Sequence, residues 1–268
     1  MPNNTDFCYL DHYQGERLQR QYTMLFGNNQ NIIANKIADE IFTNDKAKKV
    51  LDIGGGTGEL IELLKINQAS RDNLLPSMFI LVEPFDSMIA EANQRKNPPD
   101  VIIAATGEGL LKVKNDNTQN IDVIILQGVI HHIRGISLEE FFKGLYNMLN
   151  KNGKIVLITR PLKVEFPMGE QAKKSWKECY TTPPDDMPKL LQKAGFIVSV
   201  SIETFPITIN RVDWLAMIKT KNSAVFSNIS ALEQSQIDQD YLEIKQKYAK
   251  NSLITFLDHQ IHIIATKP

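Results

Sequence analysis

The chain has 268 residues, with 30 Lys and Arg against 31 Asp and Glu and a formal net charge of −1 at pH 7. That balance argues against a dominant basic face for nucleic acid. Two cysteines, Cys8 and Cys179, are too few for a disulfide framework, and no apolar run approaches the ~20 residues of a membrane span.

The hydrophobic share of 43% and the charged share of 23% are ordinary for a globular protein. At ~100–200 residues per domain, the length allows one large domain or two small ones. The opening Met1-Pro-Asn-Asn-Thr-Asp has neither a basic stretch nor an apolar one, so no signal peptide is expected and the expected location is cytoplasmic.

In chain order, residues 7–30 are polar and aromatic, with Tyr9, Tyr13, Tyr22 and Phe26. Ile33, Ile37 and Phe42 recur at helical spacing over 31–42, with Asn31 in the position of a cap. The run Lys49 to Ile53 reads as a buried strand that ends in glycines. A helix follows over GELIELLKIN, then a strand over 78–83 and a helix opened by Pro84. Further strands are expected over 101–106 and 121–129. Ser137 and Glu140 form a capping box before SLEEFFKGLYNMLN, and KNGKIVLITRP gives a turn and a fifth strand.

Alternating strands and helices specify a parallel sheet with helices on both faces. The later chain offers a helix over DMPKLLQKAGF, the strand FIVSVSIETF, a polar helical stretch near 211–250 and a final strand, TFLDHQIHIIATK. The reading is therefore an α/β doubly wound, Rossmann-like seven-stranded sheet, mostly parallel with an antiparallel last strand, plus a helical cap insertion. The expected organisation is an N-terminal helical lid over 1–44, a core over 45–205, the cap over 206–252 and the last core strand over 253–268.

Ligands of such sheets bind outside the carboxyl ends of the strands. Asp52-Ile53-Gly54-Gly55-Gly56-Thr57-Gly58 sits at one of them. Its spacing is Gly-x-Gly-x-Gly, and Glu59 stands where a dinucleotide turn wants its third glycine. A negative charge there opposes a pyrophosphate on the helix N-terminus, which argues against an NAD(P)-linked enzyme. No Gly-Lys-Ser/Thr follows, so the turn is not a P-loop. Glu83, at the end of the second strand, is placed to accept from ribose hydroxyls. The turn, the acid and the lack of a phosphate loop describe a site for an adenosine cofactor without pyrophosphate.

VLDIGGGTGEL, ILVEPFDSMIAEA, DVIILQGVIHHI and NGKIVLITRP resemble successive motifs of the class I S-adenosylmethionine-dependent methyltransferases, over about 45–205 plus the last strand. The resemblance implies S-adenosylmethionine as cofactor, S-adenosylhomocysteine as product, and a small-molecule methyl acceptor. It places Gly54, Gly56 and Gly58 along the methionine and ribose, Asp52 under the turn and toward the methionine amino group, and Glu83 on the ribose. Phe85 and Met88, next to Pro84, would pack on adenine, and Gln127 and Gly128 would flank the methyl donor. Many relatives carry Asp where this chain has Thr106, so Thr106 or the backbone near Gly107 is left to meet the adenine amino group.

Two readings stay open for His131 and His132: a general base for the acceptor, or neutral packing residues that shape the pocket. Adjacent histidines on an extended segment point oppositely, which argues against a metal site. Arg160 is a candidate for a substrate carboxylate, and Tyr13 and Trp214 for the substrate wall. Asn97-Pro98-Pro99-Asp100 imitates an amino-methylation motif but precedes the third strand, so it reads as a loop. His259 and His262 read as structural. Beside the methyltransferase stand two alternatives, a non-catalytic binder of the same cofactor and, behind it, the NAD(P)-linked enzyme.

Overall fold

A computed structural model describes residues 16–268 apart from 45, 72–73, 113–115, 179 and 221–232, with side chains from Asn29 onward and without that of Thr220. Helix α1 (Glu16–Ile41) leads into β1 (Lys49–Ile53), α2 (Glu59–Ala69), β2 (Met78–Val82), α3 (Asp86–Asn93) and β3 (Val101–Ile103). Then come α4 (Gly107–Leu110), β4 (Ile121–Gln127), α5 (Leu138–Met148), β5 (Leu149–Thr159), α6 (Glu170–Glu178) and α7 (Met187–Lys193). The chain ends with β6 (Ile197–Asn210), α8 (Arg211–Thr220), α9 (Gln234–Lys247) and β7 (Leu253–Thr266).

The sheet has seven strands in the order β3-β2-β1-β4-β5-β7-β6. Strands β1 to β5 pair in parallel and β7 runs antiparallel to β5, as expected. The order reverses between β1 and β4, the place where doubly wound sheets bind ligands. Strands with helices on both faces need apolar residues throughout, and Val50, Leu51, Phe79 to Val82 and Ile124 to Leu126 are all buried.

The chain divides into two compact units. One comprises 30–160, 182–203 and 260–268. Its core joins Ile53, Ile80, Leu126, Leu157 and Ile263 of the sheet to Phe141, Phe142 and Leu145 of α5. Helix α5 carries the capping box read from the sequence, with Ser137 and Glu140 bonded reciprocally. On α1, Ile33, Ile37 and Ile41 are buried, Gln127 Nε2 donates to Gln30 Oε1 at 3.1 Å, and Lys154 pairs with Glu40 at 2.8 Å. Asn31 is therefore not a cap: the helix begins at least as early as Glu16, and its second half is a core element.

The other unit comprises 1–29, 161–181 and 204–259. Its core gathers Phe166, Trp176, Ile207, Trp214, Ile237 and Phe256. Asp240 of α9 is buried and accepts from the backbone N–H of Ala172 at 2.7 Å and of Gln171 at 3.1 Å, capping α6 from a distant element.

Candidate functional site

The carboxyl end of β1 opens into a turn whose backbone only glycine tolerates easily. Gly54, Gly56 and Gly58 have φ of 69°, 57° and 71°, in the left-handed region where a Cβ meets the following carbonyl. The N–H of Gly54 donates to Val82 O at 2.7 Å, which ties the turn to β2. Arg95 fixes its far side, donating to Thr57 O at 2.5 Å, Thr57 Oγ1 at 2.8 Å and Glu62 at 2.8 Å. No local pattern announces the Arg95 contact, and the sequence reading missed it.

Glu83 lies at the end of β2 and is 4% exposed. Its two oxygens accept from the N–H of Gly56 at 3.0 Å and of Phe85 at 3.2 Å. Burial raises its carboxyl above the ordinary range, and these two N–H groups oppose the rise. Asp52 is 1% exposed, and neither carboxylate oxygen has a hydrogen-bond partner among the described residues. Burial first, then the charge of Glu83, push its carboxyl up to about 7. A Cβ on Gly56 or Gly128 would meet nothing within 4 Å, so the backbone borders open space at the ends of both β1 and β4. Two buried acids, one of them (Asp52) without a donor among the described residues, next to backbone that faces space, fit a ligand that brings its own hydroxyl and ammonium donors.

Beyond β2, Pro84 is exposed and Phe85 half-buried in the loop, and Met88 is buried in α3. Thr106 accepts from Gly109 N at 3.0 Å and caps α4. Gly107 is buried under Ile133, which a Cβ would approach to 2.7 Å. Glu108, which the sequence reading passed over, accepts from the N–H of Arg134 at 2.8 Å and of Gly135 at 3.1 Å. Burial alone would raise its carboxyl, but these N–H groups and the Thr106 side chain together hold it below the ordinary range.

After Gln127 the chain turns at Gly128, whose N–H donates to Ile158 O at 2.9 Å. Ile130 to His132 then form a short 3-10 turn. The two imidazoles lie side by side, with ring centroids 3.8 Å apart and planes at 49°. This corrects the expectation of an extended segment with opposed histidines, because the tighter turn brings neighbouring side chains to one side. Burial, then Arg134 and Arg160, push His131 down to about 4. Burial, then His131 and Arg134, hold His132 well below the histidine range. Both are neutral at pH 7.

Arg160, half-buried, directly follows β5. Trp214 does not line a ligand surface: it is 0% exposed and its indole N–H donates to Pro167 O at 2.8 Å. Its large apolar ring does the work of packing. Tyr13 lies outside the described residues, as do Cys8 and Cys179. The Asn97–Asp100 loop is a brace, with Lys65 donating to Pro98 O at 2.6 Å and pairing with Asp100 at 2.7 Å. His259 bonds Thr204 at 2.9 Å and Glu165 at 3.2 Å, and His262 is buried on β7.

A family profile described as "Methyltransferase domain" matches residues 25–200. A polyamine aminopropyltransferase of Thermoanaerobacter sp. (strain X514) is 28% identical over 143 residues, 52% of this chain and 51% of that protein. The chain thus spans about half the length of the curated relatives it matches. A SAM-dependent methyltransferase from Archaeoglobus fulgidus superposes with a TM-score of 0.52 at 19% identity, covering 89% of this chain and 94% of that one. The cyclopropane synthase MmaA2 from Mycobacterium tuberculosis does so with a TM-score of 0.58 at 13% identity, covering 97% of each chain. Both have the same fold, which bears out the Rossmann-like methyltransferase sheet read from the sequence. With more than half of its residues inside the family match, the chain belongs to the methyltransferase-domain family.

Proposed function

We propose that this chain is an S-adenosylmethionine-dependent methyltransferase that acts on a small-molecule acceptor. The observation that carries the reading is the buried acid pair: Glu83, pinned by the N–H groups of Gly56 and Phe85, and Asp52, whose carboxylate has no hydrogen-bond partner among the described residues. When bound, S-adenosylmethionine would supply a methyl group activated by its sulfonium.

Glu83 would accept from the ribose hydroxyls and Asp52 from the methionine ammonium, with Gly54, Gly56, Gly58, Gln127 and Gly128 lining the same stretch. Pro84, Phe85, Met88, Thr106 and Gly107 would border the adenine. The hydroxyl of Thr106 already caps Gly109, so the backbone around Gly107 is the better acceptor for the adenine amino group. The apolar surroundings keep water out and hold the reactants aligned, which is most of what a displacement at an activated methyl requires. If the acceptor carries a proton, His131 or His132 receives it at a neutral imidazole nitrogen, and Arg160 orients the acceptor.

Among the described residues no helix is long and apolar enough to cross a membrane. Together with the low cysteine count, this supports a cytoplasmic location. The near-zero charge supports a small acceptor over nucleic acid. The likeness to polyamine aminopropyltransferases favours one second reading, transfer of an aminopropyl group.

Calorimetry tests the cofactor: micromolar S-adenosylmethionine binding is expected, with a large loss in Glu83→Ala, and no binding to the intact chain would refute the proposal. Product mass over a panel of small acceptors separates methyl from aminopropyl transfer. Binding without turnover on that panel would favour the non-catalytic alternative.

A further inference from the structure

Arg95 lies just past α3 and engages all three guanidinium nitrogens at the glycine turn and the start of α2. Nε donates to Thr57 O at 2.5 Å, Nη2 to Thr57 Oγ1 at 2.8 Å and Nη1 to Glu62 Oε2 at 2.8 Å. The Arg95 and Glu62 side chains are only 16% and 19% exposed, so solvent screens this pair less than it would a surface pair.

Glu62 closes a ring of contacts. Its backbone N–H donates to Gly58 O at 3.0 Å, and its Oε1 accepts from the N–H of Asn97 at 3.3 Å. The N–H of Gly58 donates to Gly55 O at 3.0 Å and closes the turn. The Thr57 carbonyl and the Gly58 N–H belong to one peptide group, so a cation on the carbonyl polarises that group and strengthens the turn bond.

The loop that carries Arg95 is itself fixed. Asp100 accepts from the N–H of Phe79 at 2.7 Å, and its own N–H donates to Phe79 O at 2.9 Å. A Cβ on Gly58 would come within 3.3 Å of Ala92 Cβ and 3.5 Å of Pro99 Cγ, so α3 and the loop rest on the turn. The residues that imitate an amino-methylation motif, Asn97 to Asp100, thus belong to a bracket around the turn, tied to β2 and α2.

A bracket matters here because Gly54, Gly55 and Gly56 have no side chains to hold them, and glycine loses more freedom on becoming fixed than any other residue. What fixes them comes from elsewhere in the fold: Glu83 accepts from the N–H of Gly56, and Arg95 donates to the next residue's carbonyl. A turn ordered before its ligand arrives removes an ordering cost from binding.

We propose that Arg95 is a positioning residue for the cofactor: by holding the Thr57 carbonyl it keeps the Gly56 N–H on Glu83, and so sets S-adenosylmethionine affinity without touching the ligand. The proposal rests on the methyltransferase reading and deepens it. Lysine carries the same charge without the fork, and one ammonium does not span Thr57 and Glu62 as the guanidinium does.

The test measures S-adenosylhomocysteine affinity by calorimetry, and amide hydrogen exchange in the ligand-free chain, for the unaltered protein, Arg95→Ala and Arg95→Lys. Affinity is expected to fall about tenfold or more in Arg95→Ala, with a smaller loss in Arg95→Lys. The amides of Gly56 and Gly58 should exchange faster in both variants while those of Ile124 to Leu126 in β4 hold their protection. Unchanged affinity in Arg95→Ala would overturn the proposal. So would weaker binding with unchanged exchange at Gly56 and Gly58, which would assign Arg95 to the ligand itself. Faster exchange throughout β4 as well would make it a general stabiliser and overturn the proposal too. If Arg95→Ala does not fold, Arg95→Lys decides by the same two readouts. Failure of S-adenosylhomocysteine to bind the unaltered chain would fell the methyltransferase reading, and unchanged exchange at Gly56 and Gly58 would separately fell the bracket.

Discussion

Replacing Asp52 by asparagine should flatten the pH dependence of stability in the ligand-free protein. Burial and the charge of Glu83 push this carboxyl from an ordinary 3.8 up to about 7. The displacement corresponds to about 4 kcal/mol between the protonated and ionised forms. The sign follows from linkage. Between these two values the folded chain keeps a proton that the unfolded chain has released, so stability declines as pH rises. The favourable contribution is whole below 3.8 and has been lost once pH passes about 7. Of the total, about 2–3 kcal/mol should disappear between pH 5 and 8. Asparagine keeps the shape and cannot titrate, so the variant lacks that slope. Urea denaturation of both proteins across this range gives the difference directly. His131, His132 and His262, all with lowered proton affinity, titrate in both proteins and cancel. Stability curves that stay parallel from pH 5 to 8 would show that Asp52 is ionised throughout, and the argument from its burial would fail.

Gly55→Ala should destabilise the chain by about 1–3 kcal/mol, because the new Cβ would land on the Asp52 carboxylate and within 2.5 Å of Leu81 Cδ1; chemical denaturation reads the loss, and unchanged stability would refute it. Asp240→Ala should cost about 1–3 kcal/mol, since two backbone N–H groups at the start of α6 lose their acceptor; faster proteolysis within 170–178 is the local check. His131→Ala should lower kcat by about 100-fold or more if this imidazole takes the acceptor's proton, with S-adenosylhomocysteine affinity intact. In the unaltered enzyme kcat/KM, which reports the free protein, should show no inflection from His131 near pH 6.5, because that group is held down at about 4.

The central sheet was legible because burial on both faces forces apolar runs, and the turns between them use residues with few substitutes. Lys49–Ile53 is observed with the bounds that its pattern gave. The third strand is shorter than its apolar run: pairing stops at Ile103, and Thr106 is spent on capping α4. The N-terminal half of α1 was missed, although Leu18, Tyr22, Leu25 and Phe26 recur at helical spacing, because Gly27 and the polar run Asn28 to Asn31 interrupt the pattern that the helix nevertheless continues through. Helix α6 was equally hidden. Its cap comes from Asp240 in α9, and no local pattern reports a partner that distant.

The site divides along the same line. The glycine turn and Glu83 could be read because the chemistry demands those residue types at those places. What holds them was not readable, for a physical reason. Glu83 and Glu108 are each fixed by two backbone N–H groups, from Gly56 and Phe85 in one case and Arg134 and Gly135 in the other. A backbone donor has no residue-type signature, so the sequence displays the acceptor half of each contact and conceals the donor half. The histidines show the consequence. Their types were visible, but their mutual placement depends on a 3-10 turn and on the Glu108 anchor just beyond it. That anchor fixes the chain just past the turn, and the turn's tighter winding sets the imidazoles side by side where the residue pattern alone had predicted opposed ones.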